Sequence, residues 1–317
     1  MSSARWPASL PWLVPAANAT CMKSSGNMWL LSWSPMSDTP NDAAFLLGAA
    51  LISSESGLAE PVRDCRIAVS DDLRARIVGQ KRAVVISSRG QSGVYAELPQ
   101  GVSACLVLPW YSRDTLTHHV VLFVGGGIGT LEVWAPEDPG IQSGALQLRL
   151  ASGYFGDLPE FFRLTSVTSF HWDEGLPGQA AARRGVIVFG DLAESTAFLR
   201  ASAAQSVGLK CGFAFPVYHP TGMDVATILL GDYDAHRTRI DAWYAESQGP
   251  RSREADPEFE AHPAHEIVTR TAEHVSRTGC PTVVDGPARS DDGRSQNAFG
   301  WIGNASASVP HILTVAI

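Results

Sequence analysis

The sequence predicts an α/β chain of the α+β type, in which a mostly antiparallel sheet flanked by helices is used more than once. Three observations lead there. The run GVSACLVLP at Gly101–Pro109 returns as GLKCGFAFP at Gly208–Pro216. Each copy is followed by a polar turn, a second apolar strand and then a tryptophan segment, EVWAPE at 132–137 and DAWYAE at 241–246. Pro109 and Pro216 stand 107 residues apart, Trp134 and Trp243 109 apart, so the landmarks keep step over a distance where chance agreement is rare.

Upstream segments correspond too. Asp72–Ile86 parallels Gly175–Val188, and a weaker echo runs from Val268 to Cys280 and into Thr282–Asp285. In all three a short helix with basic or polar residues at its end feeds a β-branched strand. Pro159-Glu-Phe161 recurs as Pro257-Glu-Phe259, and Val309–Ala316 matches the strand that ends at Pro109. The expected division is therefore a segment 1–41 outside the fold, a first unit at 42–125, a best-preserved unit at 126–233, and a third at 234–317 that lacks its final strands. A sheet short of those strands has a bare edge, so the expectation is either that the chain is a truncated fragment or that another element or subunit covers the edge.

The middle unit is the most legible. Thr130–Trp134 and Leu146–Leu150 read as strands joined by a Pro/Gly-rich turn at Pro136–Gly144; Leu146, Leu148 and Leu150 alternate with Gln147 and Arg149, the period of a half-buried strand. Pro159–Phe170 reads as a helix with proline in its first turn. Gly175-Leu-Pro-Gly178 reads as a turn, Gln179–Arg184 as a short helix, and the apolar run Val186–Phe189 as a central strand. Phe198, Ala201, Ala204 and Val207 mark one face of a helix ending at Gly208. Cys211–Phe215 and Val225–Leu230 close the unit as an antiparallel pair. Helices interleaved with hairpins imply a mostly antiparallel, helix-covered sheet.

Composition narrows the function. The chain has 317 residues, 45% of them hydrophobic, enough for two or three cores. A net charge of −8, with basic pairs only at Lys81-Arg82 and Arg183-Arg184, argues against a nucleic-acid partner, which needs a concentrated basic face. Five cysteines (Cys21, Cys65, Cys105, Cys211 and Cys280) are widely spaced without Cys/His ligand spacing, so neither a disulfide framework nor a zinc site is expected. His118-His119 reads as a loop pair with no third ligand, and no metal is expected. Gly125–Gly129 lacks the Lys-Ser/Thr of a phosphate loop and reads as a hairpin between two strands. No run approaches the ~18 apolar residues of a membrane span. Residues 1–20 imitate a signal peptide, but Pro7, Pro11 and Pro15 interrupt the apolar stretch. Residues 1–35 are read as disordered or as preceding a true start at Met36, and the protein as cytoplasmic.

The order of elements, together with Glu174-Gly-Leu-Pro-Gly178, the strand ending at Asp191, the helix running to Gly208-Leu209 and the strand closing at Pro216, resembles the GAF family. The match covers residues 126–233 and reaches the flanking units only through the repeat. The first unit departs from it, with Arg76-Ile-Val-Gly79 at the turn and Ser88 in place of the acidic residue. The third has Ser276-Arg-Thr-Gly279 but keeps Asp285. The resemblance implies a pocket on one face of the sheet, roofed by the helices and loops between its second and fourth strands. Relatives bind cyclic nucleotides, tetrapyrroles or amino acids there, and others serve as dimerisation modules. No particular cofactor follows.

Six residues are candidates for lining that pocket. Tyr154 and Phe155 follow a strand and can stack on a planar ligand or fill a core. Glu174 stands at the turn. Asp191 is placed either to bind a ligand or to cap the next helix. Cys211 and His219 complete the set, but no general base or orienting third group makes them a nucleophile pair. Trp134 and Trp243 are expected to pack at junctions between units. The expected function is that of a non-catalytic sensory or regulatory protein in signal transduction, binding a small molecule or a partner protein, the partner being either a second copy in a homodimer or a signalling protein. The alternatives are a thiol-dependent enzyme, as in the GAF relatives that reduce methionine sulfoxide, and a purely structural dimeriser.

Overall fold

The computed structural model describes residues 45–54, 67, 69–88, 93–112, 114–137, 147–231 and 265–278, and as backbone only the strands at 18–23, 29–34, 239–246, 249–251, 282–288, 295–302 and 311–316. Its class is the expected one: helices flanking sheets that are antiparallel at all but one strand pair. The first sheet is built from β1 (Asn18–Lys23), β2 (Trp29–Ser34), β3 (Leu46–Ser53), β4 (Val84–Ser87), β5 (Val94–Tyr95), β6 (Ala104–Ser112) and β7 (Thr115–Val124), in the order β1-β2-β3-β7-β6-β4-β5. Helix α1 (Asp71–Val78) leads into β4, and the Ser70 hydroxyl accepts from the Leu73 amide to cap it.

The second sheet holds β8 (Gly129–Pro136), β9 (Gln147–Tyr154), β10 (Ser169–His171), β11 (Ile187–Phe189), β12 (Cys211–His219) and β13 (Gly222–Leu230), ordered β10-β9-β8-β13-β12-β11. Between its strands run α2 (Pro159–Val167), α3 (Gly175–Arg183) and α4 (Ala201–Ser206). The third sheet holds β14 (Arg239–Glu246), β15 (Gly249–Arg251), β16 (Thr282–Ala288), β17 (Ser295–Ile302) and β18 (His311–Ala316), ordered β15-β14-β18-β17-β16, with α5 (His265–Thr278) against β16–β18. Three cross-strand pairs have a common form: Leu46 faces Val124, Gly129 faces Leu230 and Arg239 faces Ala316. In each, the start of an early strand lies beside the end of the sheet's last strand.

The strands of the first two sheets are apolar almost throughout because both faces are buried. In β12, Cys211, Phe213, Phe215 and Val217 face the first sheet while Ala214 faces the helices. In β13, Ala226, Ile228 and Leu230 take the first role, Val225 and Leu229 the second. The two sheets thus stack face to face, with Leu106, Leu108, Val120, Leu122 and Val124 from the first meeting these side chains. Helix α1 closes the outer face of the first sheet through Leu73 and Ile77; α2, α3 and α4 close that of the second. Polar links also cross between the sheets. The Ser152 hydroxyl accepts from the Val85 amide at 3.0 Å, and Arg82 reaches from the α1–β4 loop to the buried carboxylate of Asp224. At ~1.5–3 kcal/mol for each fully buried large apolar side chain, the shared core holds the sheets together and the polar links set their register.

Several expectations change. Residues 18–23 and 29–34, read as lying outside the fold, form β1 and β2; all three interrupting prolines precede them. The Val186–Phe189 run is an edge strand, its apolar character coming from packing on its faces. Gly125–Gly129 is no hairpin, since β7 and β8 belong to different sheets and the glycines carry the chain from one to the other. A Cβ at Gly129 meets the Phe45 ring at 2.5 Å, so this crossing is too close for a side chain. The Gly175-Leu-Pro-Gly178 turn is the first turn of α3, where the amide that proline lacks has no helical acceptor. Helix α2 stops at Val167, and Phe170 enters β10, an unanticipated strand. Of the helix expected over Phe198–Val207, only α4 forms, after a run of turns at 191–200. His118 and His119 lie in β7, not in a loop. The stretch matched to the strand ending at Pro109 is β18, hydrogen-bonded on both sides between β14 and β17. The Pro257–Phe259 echo, most of the Pro136–Gly144 turn, Cys65, Cys280 and the Trp243 side chain lie outside the described residues. Among the described residues no helix is long and apolar enough to cross a membrane.

Candidate functional site

Strand alternation builds the site. Leu131 and Val133 of β8 point to the neighbouring sheet, so Thr130, Glu132 and Trp134 point under the helices. Across the β8–β13 pair Thr227 stands opposite Glu132 and shares its face. Helix α2 brings Phe161 and Thr165 over this floor, β10 brings Phe170, and the turns at 191–200 deliver Phe198 and Arg200. Glu132 is 0% exposed and Arg200 3%.

Arg200 and Glu132 make a fork. Nη1 donates to Glu132 Oε1 at 2.8 Å and Nη2 to Oε2 at 2.8 Å, while Nη1 also donates to Thr165 Oγ1 at 2.7 Å. The carboxylate accepts further from Trp134 Nε1 at 3.0 Å and Thr130 Oγ1 at 3.3 Å. Four rings surround the cation: Cζ of Arg200 lies 5.0 Å from the centroid of Phe161, 5.4 Å from Trp134 and Phe198, and 5.5 Å from Phe170. Trp134 and Phe170 meet edge to face at 4.8 Å, fixing two walls. The result is an aromatic cage with a carboxylate floor, an arrangement that selects a planar cation. Two buried polar atoms in it have no hydrogen-bond partner among the described residues: Arg200 Nε and Thr227 Oγ1.

The six residues singled out from the sequence do not converge on this space. Tyr154 is 2% exposed in the core between the sheets, stacked on Phe45 at 6.4 Å. Phe155 alone lies in the core under the helices, against Phe161 and Phe162 at 6.3 and 5.0 Å. Glu174 is the N-cap residue of α3, and its Oε2 accepts from the His171 amide at 2.8 Å, tying off the turn. Asp191 is exposed, and its Oδ1 accepts from the Ala193 and Glu194 amides at 2.8 and 3.2 Å; it opens the run of turns instead of capping a helix. Cys211 faces the other sheet, where burial pushes its thiol up to about 12. His219 sits at the end of the β12–β13 hairpin, its Nδ1 2.9 Å from Thr221 Oγ1 and its Nε2 3.6 Å from Asp224. Period-two alternation separates them: Cys211 and Tyr154 fall on one face of the sheet, Phe155 on the other.

Trp134, expected at a junction between units, packs under its own helices. Glu132 and Arg200 were missed. A carboxylate between Leu131 and Val133 in an apolar strand is a legible sign of a buried partner. The partner lies 68 residues on, beyond the reach of spacing.

No family model matches the sequence, and a search of curated proteins returns no match. Among solved structures, the GAF domain of A. aeolicus nlh2 in an inactive state matches at 21% identity over 33% of this chain, with a TM-score of 0.26. The chain spans 59% of the length of that structure's chain.

Proposed function

We propose that this chain is a non-catalytic regulatory protein built from GAF-like modules, and that the unit at 129–230 binds a small molecule under α2, α3 and α4. The observation that carries the reading is the polar cage at that place: a buried carboxylate on β8 paired with Arg200, the guanidinium ringed by four aromatic side chains, and Arg200 Nε and Thr227 Oγ1 without partners among the described residues. A core built for packing alone has no use for a buried charge, which apolar side chains of like volume replace at little or no loss of stability. The modular part rests on connectivity. In each sheet a helix feeds a strand, a hairpin follows, and its last strand returns beside an early one (β7 beside β3, β13 beside β8, β18 beside β14).

The preference over a thiol-dependent enzyme rests on the two cysteines among the described side chains. Burial pushes both Cys105 and Cys211 up to about 12, so neither is a thiolate nucleophile at neutral pH. Thermal melting against a metabolite panel tests the reading. A ligand at 100 times its Kd stabilises the native state by ~2.7 kcal/mol, a rise of several degrees, and the Cys→Ser variants keep that rise. Methionine sulfoxide reduction that vanished in Cys105→Ser or Cys211→Ser would overturn it. A purely structural module is the second reading, favoured by the apolar cluster of Phe155, Phe161, Phe170, Leu176 and Phe198 beneath the helices; it is established if no panel member stabilises either the wild type or a variant in which Arg200 is truncated.

A further inference from the structure

We propose that the cage beneath α2, α3 and α4 is a guanidinium-binding site occupied by the chain's own Arg200 as a tethered ligand, and that it accepts a free monosubstituted guanidinium cation when Arg200 withdraws. This rests on the small-molecule reading above and names the ligand class. The receptor groups sit on regular elements: Glu132 and Trp134 on β8, Thr227 on β13, Phe161 and Thr165 on α2, Phe170 on β10. The occupant does not. Arg200 ends a ten-residue run of turns, 191–200, whose other buried side chains are Leu192 and Phe198, and it is the N-cap residue of α4, its carbonyl accepting from the Ala204 amide at 2.9 Å. A rigid receptor and a ligand on an irregular strap are separable parts.

The chemistry selects guanidinium over other cations. Each Glu132 oxygen takes one Nη, a planar two-pronged match that an ammonium cannot reproduce. Four rings at 5.0–5.5 Å reward a flat, weakly hydrated cation. Arg200 also leaves the site incompletely satisfied, since its Nε and Thr227 Oγ1 are buried without partners. A free ligand that brings its own polar atom to Thr227 makes a bond that Arg200 does not. The tether competes at an effective concentration of order millimolar, so removing it unmasks the site.

Arg200→Ala is therefore titrated with ethylguanidinium chloride at millimolar concentration, with ethylammonium chloride and sodium chloride as controls. The expected result is a rise of several degrees in the Tm of Arg200→Ala with ethylguanidinium, at least about tenfold weaker binding of ethylammonium, and loss of the effect in Glu132→Gln/Arg200→Ala. Should Arg200→Ala not fold by itself, ethylguanidinium-dependent folding read by far-UV circular dichroism is the expected result. No response to ethylguanidinium, or an equal response in the double variant, overturns the proposal. If the wild type is stabilised by another panel metabolite while Arg200→Ala ignores ethylguanidinium, this inference fails and the sensory reading stands. If nothing in the panel binds either protein, both fail.

Discussion

Glu132 is a fully buried carboxylate, tolerable because four donors converge on its two oxygens from Arg200, Trp134 and Thr130. Breaking the pair from one side leaves a charge buried alone. Glu132→Gln is expected to cost about 3–5 kcal/mol in a denaturant titration, and Glu132→Leu with Arg200→Leu to recover most of that loss. A cost near 1 kcal/mol for the single change would show the pair to be better hydrated than its burial implies. His119 gives a pH prediction. Burial holds its ring below the ordinary imidazole range, opposed by its bond to the Gln80 carbonyl and reinforced by the neighbouring His118 charge; Ser54 Oγ bonds the other ring nitrogen at 3.2 Å. The unfolded ring therefore takes up its proton first, so stability falls as pH drops below about 6.5, until the folded ring also titrates. Denaturation midpoints measured between neutral and acidic pH should show that decline, and it should flatten in His119→Gln. At this scale the sequence is least legible. Asp191 and Glu174 read as candidate ligand groups because a carboxylate in a loop looks the same whether it faces a pocket or ties off amides. Their partners are backbone groups two or three residues away.

Helix α3 shows what local sequence does and does not specify. Glycine and proline at 175–178 announce a turn, yet proline fits a first helical turn equally well, and the deciding contact is tertiary. Gly178 lies against the carbonyl of His171, with no room for a Cβ, and its own carbonyl accepts from the Asp173 amide at 3.0 Å. Gly178→Ala should therefore destabilise by about 1–3 kcal/mol despite alanine's better helix propensity, read as a lower denaturation midpoint. A stabilised variant would mean that α3 can slide off β10. The strands were more legible than the helices: Leu148 in β9 and the run at Val225–Leu230 in β13 fall where alternation and apolar content put them. Beta-strand 10 was not, because three residues following a helix carry no period of their own. Edge or central position was illegible for β11, since an apolar run records burial of its faces and not the pairing of its edges.

At the scale of the whole molecule, the second sheet is buried on both sides, by helices on one and by the first sheet on the other. A fragment covering 126–231 exposes Leu131, Val133, Phe213, Phe215 and Ile228 together, an apolar patch that a soluble monomer does not leave bare. Expressed alone it should self-associate in size-exclusion chromatography. A monodisperse monomer would show the two sheets to be independent domains. Sequence periodicity could reveal that β12 and β13 are covered on both faces, but not that the second cover is another sheet, because that depends on strands more than a hundred residues away in the chain.

The pairs Leu46–Val124, Gly129–Leu230 and Arg239–Ala316 carry a mechanical consequence. Tension between the two ends of any of these segments acts on adjacent antiparallel strands at their shared end. The load then falls on one rung of hydrogen bonds at a time, and the sheet opens like a zip instead of resisting in shear. Pulled lengthwise, such a chain lengthens in steps, each sheet giving way from its centre outward at modest force.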